Sequence, residues 1–218
     1  IQKSFALESK IPLWLKNLDG LSGKKFRYFI NNLIDIMPDP KYLEIGSWLG
    51  STACSASYGN TLSITCIDNW SEFFNQDKKP STAFKKNIKK CISKKSNFSI
   101  IEKNFRDVDY SKINKFNLFF FDGPHHMKDH YDAIKLVQPC LEDKFILIID
   151  DWNWKQVRKG TLNAIIDLKL HIEAQIVIRT SQDDLRPIVD SKYSEWHNGY
   201  SFFVIKKKKY LPTYSSKF

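Results

Sequence analysis

No stretch of apolar residues approaches the roughly 20 positions that a membrane-spanning helix needs. Residues 1–10 carry no apolar core of the kind a secretory leader has. The chain therefore reads as a cytoplasmic protein without a membrane partner, and its start on Ile1 rather than Met reads as a trimmed N-terminus. Cysteine is scarce. Cys54, Cys66, Cys91 and Cys140 form no C-x-x-C pair, which argues against a zinc site or a disulfide scaffold and leaves buried, reduced thiols as the expectation. There are no internal repeats. A basic stripe interleaved with aromatic residues, the pattern that favours single-stranded nucleic acid, is also missing. So is the G-x-G-x-x-G run of dinucleotide sites, which disfavours NAD.

Apolar residues make up 42% of the 218 positions and aromatic ones 14%, enough for a real core and too many for disorder. The length suits one domain, alone or with a small cap. The net charge of +10 points toward phosphates or anionic surfaces. However, Phe84, Ile88, Cys91 and Ile92 recur at helical spacing. The pairs Lys85-Lys86, Lys89-Lys90 and Lys94-Lys95 then fall on the outer face of an amphipathic helix. A solvated lysine face explains them better than a nucleic-acid surface does. Lys206 to Lys209 start a basic tail over 206–218.

Phe26, Phe29, Ile30, Leu33 and Ile34 share helical spacing, and Pro38 and Pro40 close that segment off. It reads as a helical cap over residues 1–40. From there, apolar strands alternate with helical patterns to residue 205. Strands are expected at 42–45, 63–67, 98–102, 116–121, 145–149, 174–179 and 200–205. Helices are expected at 51–58, 81–95, 128–140 and 156–170, with Pro80 just before the second. Near-continuous apolar strands separated by helices mean a parallel sheet covered on both faces. The last two strands lack a helical crossover and so close as an antiparallel hairpin. The fold class is α/β: a Rossmann-like, doubly wound, mostly parallel sheet with an antiparallel C-terminal strand. Segments 70–80 and 181–198 read as polar, aromatic-bearing binding loops.

The chemistry gathers where strands end. Glu44, Asp68, Asp122 and the pair Asp150-Asp151 all stand at or beside the carboxyl end of a strand, where doubly wound sheets bind ligands. Glu44-x-Gly46-x-x-x-Gly50, followed by Ser51-Thr52, is a turn that lets a ligand approach the backbone closely. Asp68 follows Gly46 by 22 residues, at the end of the second strand, where a carboxylate can grip ribose hydroxyls. His125 is a candidate general base, with His126 and Lys128 as alternates. His130 and His171 read as helical and His197 as a loop residue, all without a role. Trp152, Asn153, Trp154 and Arg158 either line an acceptor pocket or pack under the N-terminal helix.

The runs Tyr42 to Thr52, Cys66 to Trp70, Phe121 to His126 and Ile148 to Trp152 resemble a class I S-adenosylmethionine-dependent methyltransferase over residues 40–205. Within that superfamily the chain is most similar to the small bacterial branch of macrocin, mycinamicin and novobiocin sugar O-methyltransferases. The resemblance implies a cofactor-binding core over 41–205. Glu44, Gly46 and Gly50 would shape the methionine pocket, Asp68 would bind the ribose, and Asn104, Phe105 and Arg106 would lie near the adenine. Ser47, Ser51, Thr52, Asn69, Trp70 and Asp122 would also belong to the cofactor site.

It also implies a divalent metal, Mg²⁺, on Asp122, Asp150 and Asp151, with Asp122 and His125 catalytic. In catechol-type relatives a lysine stands where this chain has His125. The implied reaction is O-methylation of a small-molecule acceptor, a sugar or hydroxylated metabolite. A metal-independent enzyme acting on RNA or protein is the first alternative, and a cofactor-binding module without catalysis the second. Self-association into a homo-oligomer stays open.

Overall fold

The computed structural model describes residues 1–71, 79–182, 184–185 and 193–207. Most of the expected basic tail, from 208 onward, lies outside the described residues, as do parts of both expected binding loops. Lys206 and Lys207 belong to the fold: Lys206 ends a strand, and Lys207 Nζ donates to the carbonyls of Gln138 and Leu141.

Seven strands form one sheet: β1 (Lys41–Ile45), β2 (Ser63–Ile67), β3 (Asn97–Ile101), β4 (Phe116–Phe121), β5 (Leu141–Ile149), β6 (His171–Ile178) and β7 (Tyr200–Lys206). Their order is β3-β2-β1-β4-β5-β7-β6. The first five run parallel, and β7 is antiparallel to both of its neighbours. The expected closing hairpin exists, but its second strand inserts between β5 and β6. That insertion carries the residues just before β7 to the carboxyl end of β5.

The period of two along each strand sends alternate residues to opposite faces. Tyr42, Leu118, Phe120 and Ile148 face one core, with α3 (Lys24–Ile36), α4 (Ser51–Ser57) and α5 (Pro80–Cys91). Leu43, Phe119, Phe121, Leu147 and Ile149 face the other, with α6 (Met127–Val137) and α7 (Lys155–Asp167). Two single-turn helices, α1 (Gln2–Phe5) and α2 (Leu13–Lys16), precede α3. On α3, Phe26 stacks on Tyr200 with ring centroids 3.9 Å apart, and Phe29 meets Phe202 at 4.4 Å. All four cysteines are buried and free.

Several boundaries differ from expectation for local reasons. Helix α5 stops at Cys91 because Ile92 turns extended, so Lys94-Lys95 leave the helix. Helix α6 ends at Val137, and Pro139 sits in a following 3₁₀ turn. His171 starts β6 instead of ending a helix.

Candidate active site

The strand ends and their loops enclose a cavity of about 760 Å³. By sheet order, the loops after β1, β2 and β3 build one half and those after β4 and β5 the other.

The first half begins at Gly46. Its φ of +88° is one that side chains rarely adopt, and a Cβ there would lie 1.8 Å from the Asp122 carbonyl oxygen. Only glycine lets the β1 turn sit this close to the end of β4. Asp68 then ties two loops together. Its Oδ2 accepts from the amides of Ser47 (2.7 Å) and Trp48 (2.8 Å), and its Oδ1 accepts from the Trp70 amide (2.7 Å). The Trp70 indole donates to the Trp48 carbonyl at 2.9 Å. Gly46, Ser47, Ser51, Thr52, Asp68, Asn69, Trp70, Asn104 and Phe105 all line the cavity.

Three expected cofactor residues stand behind that wall. Glu44 is fully buried, accepts from the Tyr42 hydroxyl at 2.6 Å, and has its carboxyl pushed up to about 7 by burial, with the Asp68 charge adding. Gly50 takes φ +85° at the start of α4, where a Cβ would press on the Phe84 ring at 2.8 Å. Arg106 lies over the Phe105 ring at 4.4 Å and pairs with Asp129 and Asp132, bracing the Phe105 wall from behind.

In the second half, Asp122, His125 and Asp151 each offer a ligand atom, and these atoms all lie within 4.8 Å of one another. Asp150 is not in this group. It is buried, and its Oδ1 accepts from the Asp151 amide at 2.7 Å. The structure thus brings His125 to the place where Asp150 was expected. Loss of hydration, then repulsion from Asp150 and Asp151, pushes the Asp122 carboxyl well above the carboxylate range. Burial, then the Asp151 charge, does the same to Asp150.

Burial also opposes the charge on Asp151, but His125 and Asn198 hold its carboxyl below the usual range. His125 Nε2 lies 2.7 Å from Asp151 Oδ2, and the Asn198 amide donates to Asp151 Oδ1 at 2.6 Å. The Trp154 ring meets the His125 ring edge-on at 4.9 Å.

The alternates separate clearly. His126 caps α6, accepting from the backbone of the third helical residue. Lys128 is exposed and pairs with Asp132 at 2.6 Å. His130 is buried against Phe121, and burial pushes its imidazole down to about 3. Of the run after the acidic pair, Trp154 lines the cavity. Trp152 packs on Phe203, Asn153 bonds Thr180, and Arg158 holds the carbonyls of Trp152 and Asn153. Sequence reasoning missed His197 and Asn198, and also Leu21, Ser22, Lys103 and Gln156, all of which line the cavity. The signal for His197-Asn198 was the expected binding loop 181–198 that ends on them, which singled out neither residue.

A family model described as a methyltransferase domain matches residues 43–152. No curated protein sequence matches the chain. Among solved structures, the S-adenosylhomocysteine-bound methyltransferase PaMTH1 from Podospora anserina superposes with a TM-score of 0.61 at 14% identity, covering 91% of this chain and 89% of that one. The O-methyltransferase TomG from Streptomyces achromogenes, in complex with S-adenosylmethionine and involved in tomaymycin synthesis, gives 0.57 at 9% identity, covering 86% and 82%. TrmN from Thermus thermophilus gives 0.56 at 13% identity over 89% of this chain; the chain spans only 52% of TrmN's length. At such identities these likenesses speak for the fold.

Proposed function

The chain belongs to the methyltransferase-domain family, and from that membership we propose that it moves the methyl group of S-adenosylmethionine to a hydroxyl oxygen of a small acceptor, a sugar or another hydroxylated metabolite. One observation carries the reading. A single cavity joins the Gly46–Asp68–Phe105 half to the Asp122–His125–Asp151 half. The cofactor would lie in the first half, with Asp68 toward the ribose and Asn104-Phe105 toward the adenine. That leaves its sulfonium end facing the second half. PaMTH1 and TomG share the fold and were solved with S-adenosylhomocysteine and S-adenosylmethionine, which supports the choice of cofactor.

His125 is the proposed base. Asp151 accepts from Nε2–H and so fixes the tautomer that carries its lone pair on Nδ1. Nδ1 takes the acceptor's hydroxyl proton as the oxygen attacks the methyl carbon. When bound, the cofactor would supply the methyl group, with the carbon–sulfur electron pair returning to sulfur to give neutral S-adenosylhomocysteine. Asp151, held by Asn198, stabilises the imidazolium that forms. Trp154 restricts the ring's rotation.

The crowded carboxyls of this half fit a cation, since Asp122 and Asp150 are forced toward protonation without one. Asp122 and Asp151 would hold it, while His125 keeps its place as the base. Their oxygens are hard ligands of the kind Mg²⁺ takes. When bound, such an ion would lower the pKa of the acceptor hydroxyl.

The test is turnover against pH with a panel of hydroxylated acceptors. His125→Ala should lose about a hundredfold or more in kcat and flatten the profile, while cofactor affinity stays. A wild-type profile would remove His125 as base, and unchanged activity in chelator would remove the metal.

A second reading, RNA or protein as acceptor, draws on the net charge of +10 and the exposed Lys86, Lys89 and Lys90 of α5. Steeply salt-dependent RNA binding would favour RNA. Against RNA, the described cavity wall carries Asp68, Asp122 and Asp151 but only one lysine, Lys103. Cofactor binding without transfer to any acceptor would instead mark a module that has lost catalysis.

A further inference from the structure

Arg27 is the largest fully buried side chain among the described residues. Its neighbour Phe26 anchors α3 on Tyr200. The first amides of α3, at Lys24 and Lys25, donate to the Ser194 and Glu195 carbonyls at 3.0 and 2.8 Å. With α3 fixed on that side, Arg27 turns toward the segment that precedes the helix.

There the guanidinium makes six hydrogen bonds. Nη1 donates to the carbonyls of Leu15 (3.2 Å), Lys16 (3.1 Å) and Leu18 (2.7 Å), and Nη2 to that of Gly20 (3.2 Å). Nε donates to the Ser22 carbonyl (3.2 Å) and hydroxyl (3.1 Å). None of these partners is a carboxylate. Residues 17–22 form no helix or strand, so regular structure gives their carbonyls no ladder to join. A buried carbonyl without a donor is costly, and so is a buried cation without acceptors; here each satisfies the other. Burial lowers the guanidinium to about 10, which leaves it charged at neutrality.

The far side of this segment is cavity wall. Leu21 and Ser22 line it. The Ser22 and Ser51 hydroxyls lie 2.9 Å apart, and Ser51 is both the first residue of α4 and a lining residue. Gly20 packs so tightly that a Cβ would lie 2.1 Å from Ser51 Oγ. The contacts therefore run without a gap from Arg27 through residues 20–22 to Ser51 and the cavity.

We propose that Arg27 is a positioning residue for the cofactor seat: its guanidinium gathers the carbonyls of residues 15–22 and thereby sets Leu21 and Ser22 as the wall that closes on the start of α4. The inference rests on the reading of that half of the cavity as the S-adenosylmethionine seat. Arg27 does not touch the cofactor and acts only through the segment it holds.

The test uses the full chain as wild type, Arg27→Met and Arg27→Lys. Three readouts are taken: thermal melting, titration calorimetry with S-adenosylhomocysteine, and amide hydrogen exchange. Lysine keeps the charge but cannot span five carbonyls, so Arg27→Lys decides if Arg27→Met fails to fold. The expected result for Arg27→Lys is a folded protein with exchange accelerated at residues 15–22 and unchanged in the sheet. Its affinity for S-adenosylhomocysteine should be about tenfold weaker, as loss of charged hydrogen bonds implies. Faster exchange with wild-type affinity would overturn the positioning role, and so would weaker affinity with unchanged exchange. No binding to wild type would sink the cofactor reading itself, while the exchange data would still report whether Arg27 holds the segment.

Discussion

Glu44 shows how a cavity can be built on a residue that does not line it. Its carboxyl lies wholly in the core, bonded to Tyr42, and burial raises it from 4.5 to about 7. The folded protein therefore binds this proton more tightly than the unfolded chain does. The stabilisation is complete below pH 4.5 and is lost as pH rises through 7. The difference amounts to roughly 3 kcal/mol. Urea denaturation across pH 4.5 to 8 should show stability falling with pH in wild type. Glu44→Gln, which keeps an acceptor for Tyr42, should show a flatter profile and higher stability at pH 8. Parallel profiles would mean the carboxyl is already compensated.

At the other end of the site the same physics applies with opposite sign. Asp151 stays charged in a buried place because His125 and Asn198 face it. Sequence could mark Asp150-Asp151 as an acidic pair but could not say which one faces the cavity. That choice depends on the turn after β5, where Asp151 takes φ +55°, a backbone state that no residue pattern announces.

Among elements, the turn after β1 is the most constrained. Gly46→Ala would force a Cβ toward the Asp122 carbonyl at a φ of +88°. It should cost roughly 2 kcal/mol or more in a denaturation curve and weaken cofactor binding as well. Gly59→Ala is the control. It also has positive φ, but the nearest atoms to the added Cβ belong to the Lys10 side chain, at 3.0 Å and beyond, and not to backbone, so its loss should be smaller. Equal losses would show that strain alone, and not the β1–β4 approach, makes glycine necessary.

The strands β1 to β5 and their parallel pairing were legible because buried parallel strands are continuous apolar runs joined by helical patterns. The insertion of β7 was not. A hairpin can extend the sheet in either order, and only packing puts β7 next to β5. His197 and Asn198 were missed for that reason. Leu21 and Ser22 were missed because the segment is held by Arg27 hydrogen bonds, not by any periodic pattern.

For the molecule as a whole, the division of labour follows the sheet. The segment matched by the family, residues 43–152, holds Gly46, Asp68, Asp122, His125 and Asp151. Six wall residues come from outside it: Leu21 and Ser22 from before, Trp154, Gln156, His197 and Asn198 from after. On the proposed reading the shared part would supply the cofactor seat and the reacting groups, and the flanking parts would shape the access to them. The glycine turn after β1, generic when seen alone, gains its meaning from this whole. It is the floor on which Asp68 and the Arg27-held segment converge.

The most direct measurement is titration calorimetry of the full chain with S-adenosylmethionine, repeated on Asp68→Ala. Saturable one-to-one binding is expected for wild type, weakened about tenfold or more when the Asp68 carboxylate is lost. No binding by the folded wild-type chain, or equal affinity in the variant, would contradict the assignment of this cavity as an S-adenosylmethionine seat.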